Sequence, residues 1–164
     1  MNDEKGQLSG EYMLLVGSLI VVLMISIFMI ANENELNIAM AAAKLGADEG
    51  VASSSSAIYP KETFNEYDDM EGLKHPYSVS IVNVSYNSSG IDENYGKQKI
   101  QFKVYAKASA DYNKKELDSI GDRINYNLRK SVAMSFNTTD STNKLYNPVF
   151  SNNYVFTTVN VVWV

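Results

Sequence analysis

The apolar run at residues 13–31 constrains the fold more than any other part of the chain. It reads MLLVGSLIVVLMISIFMIA, with no charged residue and with Ser18 and Ser26 as its only polar side chains. As an α-helix rising about 1.5 Å per residue it would be roughly 28 Å long, which matches the hydrocarbon thickness of a bilayer. The run therefore predicts a helix that can span a membrane.

The residues around this run do not fit an ordinary secretory signal peptide. Such a peptide has a basic start and a small-residue cleavage site after its apolar core, whereas this chain starts with MNDEKG and continues after the run with NENE. Glu11 also places a carboxylate just before the run, and a charge that enters lipid is costly and usually functional. A plain signal anchor remains an alternative.

The segment before the run carries a family resemblance. Gly6, followed by Gln7-Leu8-Ser9-Gly10-Glu11-Tyr12 and an apolar helix, resembles the class III signal peptide of archaeal type IV pilin-like proteins. The resemblance covers the N-terminal region only, and it matches at Gly6, Gln7, Ser9, Glu11 and Tyr12. It implies that a prepilin peptidase cuts between Gly6 and Gln7 and leaves the apolar helix on the mature protein.

This resemblance implies a structural subunit, a pilin, of an extracellular type IV pilus-like filament that serves surface adhesion. The implied partners are further copies of the chain in a helical homopolymer, the prepilin peptidase, and the pilus assembly platform with its ATPase machinery. The precursor would lie in the cell membrane and the mature subunit in a surface filament, where Glu11 would pair with the new amino group of Gln7 on a neighbour. An archaellin-type motility filament subunit and a non-polymerised, membrane-anchored surface binding protein remain alternatives.

Composition narrows the possible functions. The 164 residues leave room for one modest domain beyond the helix, and the absence of cysteine excludes disulfides and thiolate metal sites. A net charge of −5 argues against nucleic acid as a partner. His75 is the only histidine, and the acidic cluster within residues 66–71 lacks the spacing of a calcium loop. We therefore expect a non-enzymatic protein with no cofactor and no metal.

The helix is expected to continue beyond the membrane span. Leu36, Met40, Ala43 and Ala47 recur at helical spacing, and the small side chains of this stripe would let a sheet approach closely. Gly50 and the serines at 53–56 are expected to end the helix. The predicted organisation is a leader at residues 1–6, an N-terminal helix at 7–50 and an extracellular β-rich domain at 51–164.

Two segments have β-strand character, residues 77–86 and 98–108. The first changes phase between Ile81 and Val82, which predicts a bulge or two short strands, and residues 87–96 are predicted to form a turn region. The second alternates, so that one set of side chains faces a core and the other faces solvent. The core-facing set is Ile100, Phe102, Val104, Ala106 and Ala108, and the solvent-facing set is Lys99, Gln101, Lys103, Tyr105 and Lys107. The two strands are expected to pair antiparallel.

An amphipathic helix is predicted after these strands. Asn113 with Glu116 forms a capping-box pattern, and apolar residues follow at helical spacing to about Phe136. We expect the apolar face on the sheet and the charged side chains in solvent. The apolar face comprises Leu117, Ile120, Ile124, Leu128 and Val132, and the charged set comprises Asp122, Arg123, Arg129 and Lys130.

The C-terminal part completes the predicted fold. Residues 137–147 read as a polar loop, and residues 154–164 read as a strand with apolar side chains on both faces. This strand is expected near the centre of the sheet, covered by the long helix and another layer or by a neighbouring subunit. The predicted fold class is α+β, with a long N-terminal helix packed on a small domain that has an antiparallel sheet and one amphipathic helix.

Three sequons mark possible N-glycosylation, at Asn83, Asn87 and Asn137. Asn87 and Asn137 fall in predicted surface turns of a domain that would lie outside the cell, whereas Asn83 falls within a strand. The triplet arises readily by chance in a chain rich in Asn, Ser and Thr. Unmodified polar segments therefore remain an alternative.

Overall fold

The computed structural model describes residues 3–52, 78–109, 111–136 and 148–164. Helix α1 spans Asp3–Ala52 and helix α2 spans Lys114–Ser135. The strands are β1 (Val79–Asp92), β2 (Lys97–Ala108), β3 (Val149–Phe150), β4 (Tyr154–Thr158) and β5 (Val162–Trp163). The predicted α+β class is confirmed. His75, the acidic cluster, the loop at 137–147 and its Asn137 lie outside the described residues.

The chain divides into two compact units, Met1–Leu36 and Asn37–Val164. The boundary falls inside α1, so the first unit is a helix and the second contains the rest of that helix together with α2 and the sheet. Within the second unit, the α1 residues that are buried are all alanine or glycine. They are Ala39, Ala42, Ala43, Gly46, Ala47 and Gly50.

Helix α2 lies against this small-residue stripe. A Cβ atom on Gly46 would lie 2.5 Å from the carbonyl oxygen of Asn127, and one on Gly50 would lie 2.8 Å from Cα of Ile124. At both glycines the close neighbour is therefore a helix, where the sequence predicted a sheet. The prediction that Gly50 ends the helix is wrong, because α1 continues to Ala52 and the missing side chain of Gly50 makes room for α2.

The sheet is mixed, with the strand order β1-β2-β4-β3 and with β5 also paired to β2. Strands β1 and β2 form an antiparallel hairpin, and β3 and β4 form a second one. Strands β4 and β5 both run parallel to β2, so the chain crosses from β2 through α2 before it returns to the sheet. Parallel neighbours need such a crossover connection.

The β1–β2 hairpin confirms the antiparallel pairing and one predicted bulge. The register shifts between Ile81 and Asn83, as the change of phase indicated, and shifts again between Ser88 and Ile91. The predicted turn at residues 87–96 is wrong in its first half, because β1 extends to Asp92. Gly90 has a φ of 84°, a conformation that glycine adopts without the steric cost of a Cβ atom, and it lies where the second shift accommodates an extra residue.

Helix α2 contributes five of the nineteen buried apolar residues in the described core. The predicted capping box is present, since Asn113 N–H donates to Glu116 Oε2 at 2.8 Å and Glu116 N–H donates to Asn113 Oδ1 at 2.9 Å. Ile120, Ile124, Leu128 and Val132 are buried as predicted. The expectation that Arg123 and Arg129 stay in solvent is wrong, because each is less than a tenth exposed. Both α1 and the sheet contact α2, so its surface is covered on more sides than an amphipathic pattern implies.

The predicted C-terminal strand is interrupted. Thr158 of β4 pairs with Phe102 of β2, and Val162 of β5 pairs with Tyr105 of β2. The C-terminal segment has three residues between Thr158 and Val162, whereas β2 has two between Phe102 and Tyr105, so one extra residue separates β4 from β5. Tyr154, Val155 and Phe156 are all buried, and β4 lies between β2 and β3. The predicted position near the centre of the sheet is therefore confirmed for β4.

Candidate functional sites on the apolar helix and the sheet

The first unit exposes a continuous apolar surface. Except for the half-buried Val16, every large apolar side chain from Tyr12 to Ile30 is between 52% and 77% exposed. The surface surrounds the helix on every side, whereas the helix of a soluble domain keeps its apolar residues on one stripe. Exposed apolar patches of such size mark a membrane or protein interaction site. Ser9–Ala52 is the part of the described chain that is long and apolar enough to cross a membrane.

The two hydroxyl groups within this surface are satisfied by the helix itself. Ser18 Oγ donates to the carbonyl oxygen of Leu15 at 2.8 Å, and Ser26 Oγ donates to that of Val22 at 2.9 Å. A side chain that hydrogen-bonds to its own helix presents little unsatisfied polarity to an apolar environment. The surface therefore suits lipid or packed helices equally.

The predicted processing and assembly residues lie at the start of this helix. Gly6 and Gln7 are within α1, which begins at Asp3, four residues before the predicted start at residue 7. Ser9 and Glu11 are exposed and Tyr12 is 70% exposed. Because Glu11 is exposed, its carboxylate is accessible to a second molecule.

Two of the three predicted sequon asparagines lie on β1. Asn83 pairs with Tyr105 and Asn87 pairs with Gln101 across the hairpin, and both asparagines are exposed. Asn87 therefore lies in a strand, not in the predicted turn. The extended backbone keeps both side chains at the surface, where a glycan can be attached.

A groove lies over the face of β2 that the sequence assigned to solvent. It has a volume of about 850 Å³ and is lined by side chains of β1, β2 and the segment that joins β4 to β5. Its lining residues are Ser85, Tyr86, Asn87, Gln101, Lys103, Tyr105, Thr158, Val159 and Asn160. Lys103 Nζ lies 5.1 Å from the centroid of the Tyr105 ring, a distance at which a cation is attracted to an aromatic face.

A smaller cavity of about 320 Å³ lies between α2 and β5. Asp118, Asp122, Asn125 and Trp163 are among its lining residues. Burial raises the pKa of Asp122, the neighbouring Asp118 raises it further, and Arg129 opposes both effects. Asn125 donates from Nδ2 to the carbonyl oxygen of Val159 at 2.9 Å. Its Oδ1 is buried without a hydrogen-bond partner in the described part of the chain.

Sequence reasoning missed both cavities, since the side chains that line each one come from segments far apart in the chain. The alternation of β2 located Gln101, Lys103 and Tyr105 on one face, and the structure keeps them there, although all three are half-buried. No sequence signal placed Thr158 and Asn160 beside them. Within the described residues, no group of three or more His, Cys, Asp or Glu side chains is arranged to hold a metal ion.

Comparisons of the chain with protein-family models, with curated proteins and with solved structures find no match.

Proposed function

We propose that this protein is a pilin, the structural subunit of an extracellular type IV pilus-like filament, and that it assembles through its apolar N-terminal helix and serves surface adhesion. The observation that carries the proposal is the fully apolar surface of the helix from Tyr12 to Ile30, which directly follows the motif Gln7-Leu8-Ser9-Gly10-Glu11-Tyr12. A helix that is apolar on every side needs lipid or other helices around it. A filament subunit needs lipid around this helix before assembly and other helices around it afterwards.

In this proposal the helix serves in two environments. The precursor is held in the cell membrane until a prepilin peptidase cuts between Gly6 and Gln7. The helix then packs in a bundle of identical helices, while the unit Asn37–Val164 forms the outer layer of the filament. Burying one large apolar side chain away from water contributes about 1.5–3 kcal/mol, so the assembled bundle resists dissociation into water. Transfer of the helix from lipid into the bundle depends on close packing between helices instead. Head-to-tail contacts that do not close produce fibres.

Glu11 has a specific role in this assembly. Its carboxylate is exposed at the start of the apolar surface, and leaving it unpaired among apolar helices would be costly. The amino group created at Gln7 by the cut is a cation that a neighbouring subunit can offer. The pair would neutralise both charges and would set the axial position of one subunit relative to the next.

The processing step is tested by mass spectrometry of the mature chain from the native host. The expected N-terminus is Gln7. A chain that still starts at Met1 or Asn2 would favour the membrane-anchored binding protein, and a chain cut after Ala31 would indicate a secreted protein without the helix. Either result would overturn the pilin proposal.

The assembly step is tested by electron microscopy of filaments from cells that carry Glu11→Ala. We expect few or no filaments from this variant, although the precursor is made and cleaved. Glu33→Ala is the matched control, because Glu33 is an exposed carboxylate on the same helix beyond the apolar run, and its filaments should be normal. Normal filaments from Glu11→Ala would show that the carboxylate is not needed.

A further inference from the structure

We infer that the groove over β2 is a binding site for an acidic saccharide supplied from outside the chain. The inference depends on the proposed function in one respect, namely that the filament uses this binding for adhesion. Binding itself is a property of the single subunit, so it can be measured before any filament forms. The groove is about 850 Å³ in volume, within the range of cavities that hold small ligands.

The chemistry of the lining matches a ligand rich in hydroxyl groups. Three carboxamides line the groove, Asn87, Gln101 and Asn160, together with the hydroxyl of Ser85. Each carboxamide offers both a donor and an acceptor, as vicinal hydroxyl groups do in return. Tyr105 lies on the same face of β2 as Gln101 and Lys103 and offers a ring that the apolar C–H face of a sugar can contact.

The spacing of these groups follows from the sheet. Asn87 is paired with Gln101 and Ser85 with Lys103, while Gln101 is paired with Thr157 on the other side. Neighbouring strands are about 4.8 Å apart, which is close to the length of one pyranose residue. A sugar chain that crosses the strands would therefore meet a new row of polar groups at each unit.

The charge of the groove selects an anionic ligand. Lys103 is the one charged residue among those that line it, and its ammonium group is held over the Tyr105 ring. On the same strand, Lys99 is close to Asp92 at 3.9 Å, so its charge is partly compensated. A carboxylate or sulfate on one sugar unit would complement Lys103.

Nucleic acid is a poorer match to this lining. Binding to nucleic acid requires several cations that follow the phosphates, whereas the groove has a single lysine and the whole chain has a net charge of −5. The described lining also contains no carboxylate, so no anionic side chain within it competes with an acidic ligand for Lys103.

The test uses the full chain in detergent micelles on an array of acidic and neutral oligosaccharides, followed by titration calorimetry with the saccharide that binds best. We expect an acidic oligosaccharide to bind, and we expect its affinity to fall at least fivefold when salt is raised from 50 to 500 mM, because salt screens the exposed charge pair. An eight-residue oligothymidylate serves as the nucleic-acid probe. If no acidic saccharide binds, or if oligothymidylate binds more tightly, the inference is overturned.

Matched variants locate the site. Tyr105→Ala and Lys103→Gln should each weaken binding at least tenfold. Tyr95→Ala and Lys107→Gln should leave it unchanged, because Tyr95 packs on Phe150 and Lys107 is exposed on the same strand, and neither lines the groove. Fluorescence of the single tryptophan checks that each variant is folded. Equal affinities for all four variants would show that the saccharide does not bind in this groove.

The source of the saccharide is tested at Asn87. Asn87→Gln removes the sequon but keeps a carboxamide in the lining, so binding of the external saccharide should persist. The inference would also be contradicted if the native chain carries a glycan on Asn87 and binds external saccharide only after Asn87→Gln. In that case the groove would hold the chain's own glycan and not an external saccharide.

Discussion

The substitution Gly46→Ala tests how closely α1 and α2 approach each other. An added Cβ would lie 2.5 Å from the carbonyl oxygen of Asn127, 2.7 Å from Cβ of Ser131 and 2.8 Å from Cα of Leu128. Carbon atoms in contact are normally about 3.5–4.0 Å apart, so the helices must separate by about 1 Å. Two of the three atoms belong to the backbone of α2 and cannot move aside by a change of rotamer.

The expected change in the free energy of unfolding of Gly46→Ala combines two opposing effects. Overpacking of this kind costs about 1–3 kcal/mol, and replacing glycine by alanine inside a helix returns about 1 kcal/mol of helix propensity. Because backbone atoms meet the new methyl group, the cost should lie in the upper part of its range. The net loss in the free energy of unfolding is therefore about 1–2 kcal/mol.

The assay is urea unfolding of the full chain in detergent, followed by the fluorescence of Trp163, the only tryptophan. With a slope of about 1–3 kcal/mol per molar urea, the midpoint of Gly46→Ala should fall by roughly 0.3–2 M. Gly17→Ala is the matched control, since no atom lies within 4 Å of its added Cβ, and its midpoint should be unchanged or slightly raised by the better helix propensity of alanine. A midpoint for Gly46→Ala at or above that of the natural protein would refute the close approach.

Three further predictions concern the second unit. Asn113→Ala removes the helix cap and should lower the free energy of unfolding by about 1 kcal/mol in the same urea assay; an unchanged midpoint would contradict the capping role. Phe156→Ala should cost about 3–5 kcal/mol, because this ring is 1% exposed and stacks on Phe102 and Phe136; a loss below 1 kcal/mol by the same measurement would show that the site is loosely packed. Burial and the neighbouring Asp118 raise the pKa of Asp122. The charged carboxylate therefore lowers the free energy of unfolding at pH values above that raised pKa. This destabilisation disappears as the pH falls through the raised pKa towards the ordinary pKa of an aspartate. Asp122→Asn should therefore be more stable than the natural protein at pH 7 and lose that advantage on acidification. A difference in the free energy of unfolding that does not vary with pH would contradict this prediction.

Elements with a strong local pattern were predictable from the sequence. The capping box of α2, the alternation of β2 and the bulge after Ile81 each depend on residues close together in the chain, and each is confirmed. Local rules also misled. Gly50 looks like a helix terminator on propensity alone, yet its role is to let α2 approach.

Features that depend on distant parts of the chain could not be predicted. Arg123 and Arg129 have the spacing of solvent-facing residues on an amphipathic helix, but α2 is contacted by both α1 and the sheet. Strand β3 has two residues, too few for a periodic signal. For the candidate sites, the motif from Gln7 to Tyr12 could be recognised because it is continuous in the sequence. The groove could not, because it depends on the pairing that places β4 and the residues after it beside β2.

The position of β4 has a consequence for the order in which the domain can be built during synthesis. Strands β4 and β5 follow all the other described elements in the chain, yet they supply the second neighbour of β2 and two nearly inaccessible side chains, Val155 and Phe156. Until these residues have left the ribosome, β2 keeps one edge without its final partner. A nascent chain in this state is prone to pair with other chains. The sheet is therefore complete only after β5 has been translated, and shortening the chain before Tyr154 should yield aggregates in place of a smaller folded domain.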